Sequence, residues 1–321
     1  MNETKNNCSC SSIKEMWNDC HSMVMEGAAS CGMLEISTGL QTVDNLIGGF
    51  EKGKVYLFGG RPSMGKEEFM LSMISDIVIE SKLHVLVFST NHRKNDYIFR
   101  LVSSYCGIPT LNLQKGFMET DEWQQLDNNL AAIENAPLYV HDSLDLPLDE
   151  LMETAWNCIM NKGIKIIFID SLQMIDLENG VIITYERTAR MMHALKQLAI
   201  EAEIPIVLGA ELGRGGEYRE SRADKRPLLR DLMVCSNVEW LADVIMLVHR
   251  PEYYEIYKDE NGNDLHGRIE IMVKKNALKP LGNILLYYDQ QTGIVSENKI
   301  TRKPESESAS LKEMCEDNDA M

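Results

Sequence analysis

The sequence has no excess of basic residues and no long apolar run. Its 321 residues include 32 Lys and Arg against 49 Asp and Glu, which gives a formal net charge of −17 at pH 7. Nucleic-acid binding normally depends on Lys and Arg that neutralise phosphates, so this charge disfavours a broad nucleic-acid surface but permits a local basic channel. A membrane-spanning helix needs about 20 apolar residues in succession, and the sequence contains no such run.

Disulfide bonds and a zinc site are not expected either. The eight cysteines are irregularly spaced and no signal sequence is recognisable, so we predict a protein of the reducing cytoplasm. Cys8 and Cys10 resemble half of a metal site, but no second pair of ligands stands at zinc-finger spacing. A mobile thiol pair is therefore the favoured interpretation.

Length and composition predict one main domain between two polar ends. A chain of 321 residues with 44% apolar content can bury an α/β domain of about 250 residues. Residues 1–11 are polar and residues 298–321 are rich in Ser, Glu and Asp, so both ends are predicted to be disordered. Residues 12–36 are predicted to form a linker region with one helix, and residues 37–297 the main domain.

The linker helix, predicted over residues 12–28, carries apolar side chains at helical spacing. Its apolar face packs either on its own chain or on a neighbouring copy of the chain. The side chains of this face are Ile13, Met16, Trp17, Cys20, Met23 and Val24.

From residue 37 onward, apolar strand-like runs alternate with helical segments. This alternation predicts an α/β fold with a mostly parallel, twisted sheet and helices on both faces. Ligands of such folds bind at the carboxyl ends of the strands. The predicted strands lie in residues 54–58, 84–89, 138–140, 164–169, 204–208, 243–248, 269–274 and 284–288.

A glycine-rich segment that resembles a phosphate-binding loop follows the first predicted strand. In the pattern GxxxxGK followed by Ser or Thr, backbone N–H groups surround phosphates, the lysine reaches the β and γ oxygens, and the hydroxyl holds Mg²⁺. Glu67 replaces the hydroxyl residue here, and its carboxylate either ligates Mg²⁺ or only stabilises the helix start of a disused pocket. The candidate nucleotide-binding residues are Gly60, Arg61, Pro62, Ser63, Met64, Gly65, Lys66 and Glu67.

A second Mg²⁺ ligand is predicted at the end of another strand. The apolar run 164–169 ends in Asp170, and nucleotide enzymes use such a carboxylate to orient Mg²⁺. An aspartate after a strand is often only a turn or a helix cap. The phosphate-binding loop earlier in the same α/β pattern favours the metal-binding role.

Four short sequence segments follow one another along the chain: STG at 37–39, RPSMGK at 61–66, IDSLQ at 169–173 and RADKRP at 222–227. On these segments, the chain resembles the carboxyl-terminal RecA-like motor domain of DnaB-type replicative helicases over about residues 37–295. The resemblance implies a RecA-like P-loop NTPase fold and a hexameric ring that binds ATP and Mg²⁺ between subunits and single-stranded DNA in its centre. It also implies that the linker helix packs on the next subunit, in a homo-oligomer or in co-assembly with a full-length replicative helicase.

The same resemblance assigns catalytic roles to single positions. Lys66 and Asp170 match the family, but Asn91 stands where the family has a glutamate that polarises the attacking water. An amide cannot take up a proton, and general-base catalysis typically contributes about 10²–10⁴ in rate. The expected consequence is slow or absent hydrolysis.

The family also sends a lysine and an arginine finger into the ATP site of the neighbouring subunit. By resemblance, Lys275 fills the lysine position, whereas Ala277 stands at the arginine position. Lys279 is a candidate substitute, but an ammonium does not reproduce the guanidinium fork. Hydrolysis in a ring of this chain is again expected to be slow.

Charged residues further along the chain leave several roles open. Glu211 stands where the family has a nucleotide-sensing glutamine, and Arg214 either contacts phosphate or is exposed and unengaged. Residues 232–237 lack the charged groups with which the family contacts DNA. A local basic cluster remains that serves DNA, a partner or only surface solubility, and its members are Arg222, Lys225, Arg226 and Arg230.

Two functional hypotheses follow. In the first, the chain is a DnaB-like, ATP-binding and DNA-associated replication protein with weakened or lost ATP hydrolysis. In the second, it is a catalytically inactive, helicase-derived interaction protein that acts as a ring subunit, loader or inhibitor of a full-length helicase. The joint alteration of the Mg²⁺ hydroxyl, the water-activating carboxylate, the finger and the DNA loop argues for the second.

Overall fold

The computed structural model describes most of the predicted main domain. The predicted disordered end at 1–11, nearly all of the predicted tail at 298–321 and most of the linker helix lie outside the described residues, as do Arg214 and Arg222. The described residues are 36–175, 185–213, 225–232, 236–277 and 279–299, together with Ile13, Trp17, His21 and Met25.

A nine-stranded sheet forms the centre of the domain. The strands are β1 (Val55–Gly60), β2 (Val85–Ser89), β3 (Leu138–Asp142), β4 (Ile166–Asp170), β5 (Ile206–Glu211), β6 (Val244–His249), β7 (Arg268–Asn276), β8 (Gly282–Tyr288) and β9 (Val295–Ser296). Their spatial order is β3-β2-β4-β5-β1-β6-β7-β8-β9. The pairs from β3 to β6 are parallel, and the pairs from β6 to β9 are antiparallel.

Helices cover both faces of this sheet. They are α1 (Gln41–Ile47), α2 (Lys66–Ser75), α3 (Lys94–Cys106), α4 (Thr110–Lys115), α5 (Thr120–Glu134), α6 (Leu148–Lys162), α7 (Tyr185–Ala202) and α8 (Ser236–Leu241). Short 3₁₀ turns lie at Leu172–Met174, Leu229–Asp231 and Pro251–Tyr254, and a π-helical turn, Asp76–Glu80, extends α2. None of the helices in the described residues has the length and hydropathy of a membrane-spanning segment.

The central strand β1 shows why the predicted strands are continuous apolar runs. Successive side chains of a strand point to opposite faces, so Tyr56 and Phe58 enter the core beneath α1, α2 and α3. Val55 and Leu57 enter the second core, beneath α6 and α7. Because both faces are buried, every position of the strand is apolar or glycine. The predicted strands coincide with β1 to β8, and the α/β prediction is confirmed.

The parallel register brings the functional strand ends to one edge of the sheet. Gly60 at the end of β1 pairs with Glu211 at the end of β5, and Ser89 of β2 pairs with Asp170 of β4. The chain leaves β1 through the glycine-rich loop and enters α2 at Gly65. Gly65 has a φ of 86°, and a Cβ at this position would lie 2.7 Å from the Cδ1 of Ile269. Glycine is therefore required there for conformation and for space.

Candidate functional site

Lys66 lies at the start of α2 between two carboxylates. Its Nζ is 2.7 Å from the Oδ1 of Asp170 and 3.0 Å from the Oε1 of Glu211. Burial by itself lowers the pKa of the Lys66 ammonium, but the two carboxylates outweigh this effect, so the net shift of the pKa is upward. Lys66 therefore stays protonated at the mouth of the loop. Its positive charge is balanced by the carboxylates of Asp170 and Glu211.

Neighbouring residues hold these two carboxylates in place. Gly209 makes room for Asp170, because a Cβ at residue 209 would lie 2.3 Å from the Asp170 Oδ1. Gln173 fixes the end of β5: its Nε2 donates to the Glu211 carbonyl at 3.0 Å, and the Glu211 N–H donates to its Oε1 at 3.0 Å. The IDSLQ segment therefore positions both carboxylates that hold Lys66.

The loop itself is shaped for an anion. Ser63 and Gly65 have left-handed φ angles of 63° and 86°. Conformations of this kind turn successive backbone N–H groups toward one concave side. Pro62 and Ser63 are exposed at the tip, whereas Met64 is buried beneath it.

Glu67 contacts a guanidinium and an imidazole that sequence reasoning missed. Its Oε2 is 2.5 Å from the Nη1 of Arg100 and 2.9 Å from the Nε2 of His92, and Arg100 Nη2 also lies 2.7 Å from the Oε1 of Glu68. Burial alone raises the pKa of Glu67, but the hydrogen bond with His92 and the charge of Arg100 outweigh it and lower the pKa well below its usual range. Glu67 is therefore an ionised carboxylate bound by a guanidinium.

One signal in the sequence points toward this cluster. Glu67 and Glu68 are adjacent carboxylates at the start of a helix that follows a buried strand, and partly buried carboxylates need a cation. The identity of that cation depends on the packing of α3 against α2, because Arg100 lies 33 residues after Glu67. No local pattern connects these two positions.

The predicted Mg²⁺ ligands do not fit that ion in this arrangement. Asp170 is bound by Lys66, and Glu67 by Arg100 and His92. The cavity lined by Glu67, His92, Arg100 and Asp170 has a volume of about 10 Å³, close to the minimum for one water molecule. Mg²⁺ demands an octahedral shell and usually keeps several waters. The described residues also contain no group of three or more His, Cys, Asp or Glu side chains suited to a metal.

The Arg61 side chain contacts residues outside the phosphate-binding loop. Its buried Nη1 donates to the carbonyl of Lys225 at 2.8 Å and to the Oη of Tyr254 at 2.7 Å, and its Nη2 lies 3.6 Å from the Oδ2 of Asp231. The Arg61 side chain is therefore engaged within the chain, and nucleotide binding by the loop to which Arg61 belongs stays a prediction. Arg61 joins the phosphate loop to residues 225–232.

Part of the predicted basic cluster is engaged within the chain. The Nζ of Lys225 lies 5.6 Å from the ring centre of Tyr254. Arg226 forms an ion pair with the buried Glu270 of β7 and is otherwise half exposed. Arg230 is exposed. A DNA-binding role for this cluster stays a prediction.

Two lysines near the predicted finger position cap helices of their own chain. Lys275 Nζ donates to the carbonyls of Glu239 at 2.6 Å, Trp240 at 3.2 Å and Ala242 at 2.5 Å, at the end of α8. Lys279 Nζ donates to the Ile47 carbonyl at the end of α1 and pairs with Glu51. Both ammonium groups are thus engaged within their own chain, and the role of Lys275 in the ATP site of a neighbouring subunit stays a prediction.

Asn91 follows the end of β2, next to His92. Its side chain is exposed and makes no hydrogen bond within the described part of the chain. The structure therefore brings together Lys66, Asp170 and Glu211 at the loop and places Glu67 beside them with its own partners. The remaining predicted catalytic residues, Asn91 and Lys275, do not contact this group.

The sheet topology and the phosphate-binding loop identify a RecA-like α/β domain. A mostly parallel sheet with a phosphate-binding loop after its central strand, and a carboxylate at the end of a nearby strand, is a RecA-like α/β fold. The chain matches the family described as DnaB-like helicase C terminal domain over residues 35–296. It belongs to that family, as the sequence resemblance predicted.

Two relatives illustrate the similarity in sequence. The replicative DNA helicase DnaB of Treponema pallidum (strain Nichols) is 30% identical over 256 residues, which cover 80% of this chain and 54% of that protein. The replicative DNA helicase DnaB of Geobacillus stearothermophilus is 26% identical over 258 residues, with 79% of this chain and 54% of that protein covered. The chain thus spans about half the length of these curated relatives.

Two solved structures share the fold. One, described as an ATPase domain, superposes with a TM-score of 0.78 at 22% identity, and the match covers 90% of this chain and 100% of that chain. A DnaB-like replicative helicase, solved in a study of its interactions with primase, has a TM-score of 0.75 at 22% identity, and the match covers 89% of this chain and 67% of that chain. At this level of identity, the comparison establishes the fold alone.

Proposed function

We propose that the chain is an ATP-binding, DNA-associated replication protein whose own ATP hydrolysis is slow or absent. The observation that carries this proposal is Asn91, an exposed amide at the strand end where hydrolysis needs a group that accepts a proton. The retained loop and Lys66 support binding, because they still present N–H groups and an ammonium to an anion. Since Mg²⁺ does not fit this arrangement, the proposal assigns no step to the metal.

The phosphates of the nucleotide displace Glu211 from Lys66. Of the two carboxylates on Lys66, Glu211 is the more exposed, with 32% of its side chain accessible against 13% for Asp170. Displacement therefore exposes Glu211 to water at little cost, while Asp170 keeps its place beside the ammonium. The nucleotide affinity is modest, because the phosphates replace an ion pair that already exists.

A neighbouring cavity is large enough for the base and ribose. It has a volume of about 500 Å³, within the usual range of about 300–1,000 Å³ for small-molecule sites. It lies at the β7–β8 end of the sheet, and one of its lining residues, Tyr288, also packs near the loop, with ring atoms 3.7 Å from the position of a Cβ at Gly65. Tyr287, with the guanidinium of Arg268 3.3 Å from its ring centre, supplies a flat surface in the same cavity.

The linker helix supplies the contact for assembly into a ring. Ile13, Trp17 and Met25 are 82%, 62% and 59% exposed in the single chain. Residues four apart share one face of a helix, so these side chains form an apolar stripe that a neighbouring subunit would cover. The neighbour is a second copy of the chain or a full-length replicative helicase, since the relatives carry that activity.

The second hypothesis, an inactive interaction protein, is favoured by Lys275 and Lys279. Both ammonium groups donate hydrogen bonds to carbonyls at helix ends of their own chain. A subunit with this arrangement does not extend Lys275 or Lys279 into the ATP site of its neighbour, and in a mixed ring it would slow hydrolysis by the full-length helicase. The chain would then act as an inhibitor.

Nucleotide binding and turnover by the purified chain test the first hypothesis. A fluorescent ATP analogue is titrated, and ATP hydrolysis is measured with and without single-stranded DNA, beside Lys66→Ala. We expect saturable binding that Lys66→Ala weakens by at least about tenfold, and negligible turnover. Rapid DNA-stimulated turnover that Lys66→Ala abolishes would overturn the proposal. Adding the chain to a full-length replicative helicase then distinguishes the hypotheses, because only the second predicts slower unwinding.

A further inference from the structure

The ammonium of Lys66 marks the place where the last phosphates of a nucleotide would lie. In a phosphate-binding loop, backbone N–H groups surround the α and β phosphates, and the lysine reaches the β and γ oxygens. Here two carboxylates already contact the ammonium, the Oδ1 of Asp170 at 2.7 Å and the Oε1 of Glu211 at 3.0 Å. A phosphate group therefore reaches Lys66 only where one of these carboxylates gives way.

Glu211 is the carboxylate that can give way. Its side chain is 32% exposed, and its second oxygen, Oε2, accepts no hydrogen bond within the described part of the chain. When this side chain turns into water, it loses only its contact with Lys66. One phosphate group can then take the place of the Glu211 carboxylate beside the ammonium.

Asp170 is fixed on both its side chain and its backbone. Its side chain is 13% exposed and lies against Gly209, where a Cβ would be 2.3 Å from the Asp170 Oδ1. The N–H and the Oγ1 of Thr90 both donate to the Asp170 carbonyl at 2.8 Å. A negative charge therefore stays beside Lys66 after a first phosphate group has replaced Glu211.

The groups next to Lys66 offer no surplus positive charge for a further phosphate. Glu67 and Glu68 share the guanidinium of Arg100. With the two carboxylates on Lys66, four carboxylates face two permanent cations, and a protonated His92 would still leave negative charge in excess. The cavity lined by Glu67, His92 and Arg100 has a volume of about 10 Å³, so a phosphate group does not fit there.

We propose that the loop holds a nucleoside diphosphate in preference to a triphosphate, and that Asp170 sets this preference. This inference rests on the proposed function, in which the phosphate loop binds a nucleotide. The backbone N–H groups hold the α and β phosphates, and one phosphate group replaces Glu211 at the ammonium. A third phosphate adds negative charge beside Asp170 and Glu67, where Lys66 and Arg100 are already neutralised. The γ-phosphate therefore weakens binding.

Isothermal titration calorimetry of the full chain with ADP and with ATP tests this inference. Both titrations are made in excess Mg²⁺, the condition that most favours the triphosphate. The test variant is Asp170→Asn, which keeps the shape of the side chain and removes its charge. Asp127→Asn is the matched control, because Asp127 is exposed on α5. Thermal unfolding followed by circular dichroism verifies that each variant is folded.

The native chain and Asp127→Asn are expected to bind ADP at least about tenfold more tightly than ATP. Asp170→Asn should bring the two affinities within about threefold of each other, chiefly by strengthening the binding of ATP.

A native chain that binds ATP as tightly as ADP, or more tightly, would overturn the inference and leave the proposed function intact. A folded Asp170→Asn variant that keeps the native ratio, or that binds ATP more weakly, would also overturn it, because Asp170 would then not reject the third phosphate. Absence of binding of either nucleotide to the native chain would overturn both the inference and the proposed function. If Asp170→Asn does not fold, the native ratio decides.

Discussion

At the residue scale, Lys66 is the group on which the proposed nucleotide binding depends most. Asp170 and Glu211 both contact its ammonium, and a phosphate must compete with them. Two unit charges about 4 Å apart interact by roughly 4 kcal/mol at an effective dielectric near 20, so one carboxylate has a measurable effect. The same reasoning applies to Glu67, but its charge is already balanced by Arg100.

Glu211→Gln is expected to strengthen nucleotide binding about threefold to tenfold, because the amide removes a negative charge that competes for Lys66. The dissociation constant is measured by titration with a fluorescent ATP analogue. Glu153→Gln serves as the control, since Glu153 is exposed on α6 and the substitution removes the same charge far from the loop. Unchanged or weaker binding by Glu211→Gln would contradict the proposed displacement.

His249 gives the stability of the protein a pH dependence. Burial, followed by the charges of Arg226 and Arg61, lowers the pKa of His249 to about 4. An unfolded histidine has a pKa of about 6.5, so the unfolded chain takes up a proton in a range where the folded chain does not. Stability is therefore complete above about pH 6.5 and declines as the pH falls toward 4.

Between pH 7 and pH 5, this group is expected to reduce the free energy of unfolding by about 2 kcal/mol. Urea unfolding at the two pH values measures the difference. His249→Gln removes the titrating group and should flatten the pH dependence, whereas His193→Gln, on the exposed side of α7, should preserve it. A slope that persists in His249→Gln would assign the effect to another group.

At the scale of elements, the two lysines near the predicted finger position stabilise helix ends. The last carbonyls of a helix have no partner within the helix, and a cation there satisfies them and interacts with the helix dipole. Lys275 serves α8, and Lys279 serves α1. Both short helices are thereby fixed to strand β7 and to the turn that follows it.

Lys275→Met is expected to lower the free energy of unfolding by about 1–2 kcal/mol, because it removes hydrogen bonds from an ammonium to three carbonyls. Urea denaturation measures the loss. Lys274→Met, one residue earlier in β7, is the matched control and should change stability by less than about 0.5 kcal/mol. If Lys275→Met is as stable as the native chain, capping of α8 is not the role of Lys275. The role predicted from the sequence, in the ATP site of a neighbouring subunit, is then favoured.

At the scale of the whole molecule, an acidic chain carries an apolar stripe outside its main core. The net charge of −17 opposes self-association, whereas the exposed Ile13, Trp17 and Met25 favour it. Large aromatic side chains dominate the binding energy of protein interfaces. Trp17 is therefore the residue on which assembly should depend most.

Trp17→Ala is expected to weaken assembly of the chain by at least about tenfold, since it removes an exposed aromatic side chain that the neighbouring subunit would cover. Sedimentation velocity over a range of concentrations measures the association. Met160→Ala is the control, because Met160 is 77% exposed on α6 and its truncation also removes apolar surface. If both variants assemble like the native chain, the linker helix is not the contact.

The architecture was predictable because buried strands leave a local signal. The eight predicted runs match β1 to β8, since a strand buried on both faces must be apolar along its whole length. The two-residue strand β9 (Val295–Ser296) was missed because it is too short to form a run. Lys66 and Asp170 were found because their roles are tied to the residues beside them in the chain.

The strands, the glycine-rich loop and the family could all be read from the amino-acid sequence, because each depends on residues that are close together in the chain. The contacts of Glu67 and Lys275 became known only from the packed fold. Arg100 reaches Glu67 through the packing of α3 on α2, and Lys275 reaches the end of α8 through the pairing of β7 with β6. The partner of a buried charge is chosen by packing between distant segments, and no local pattern encodes that choice.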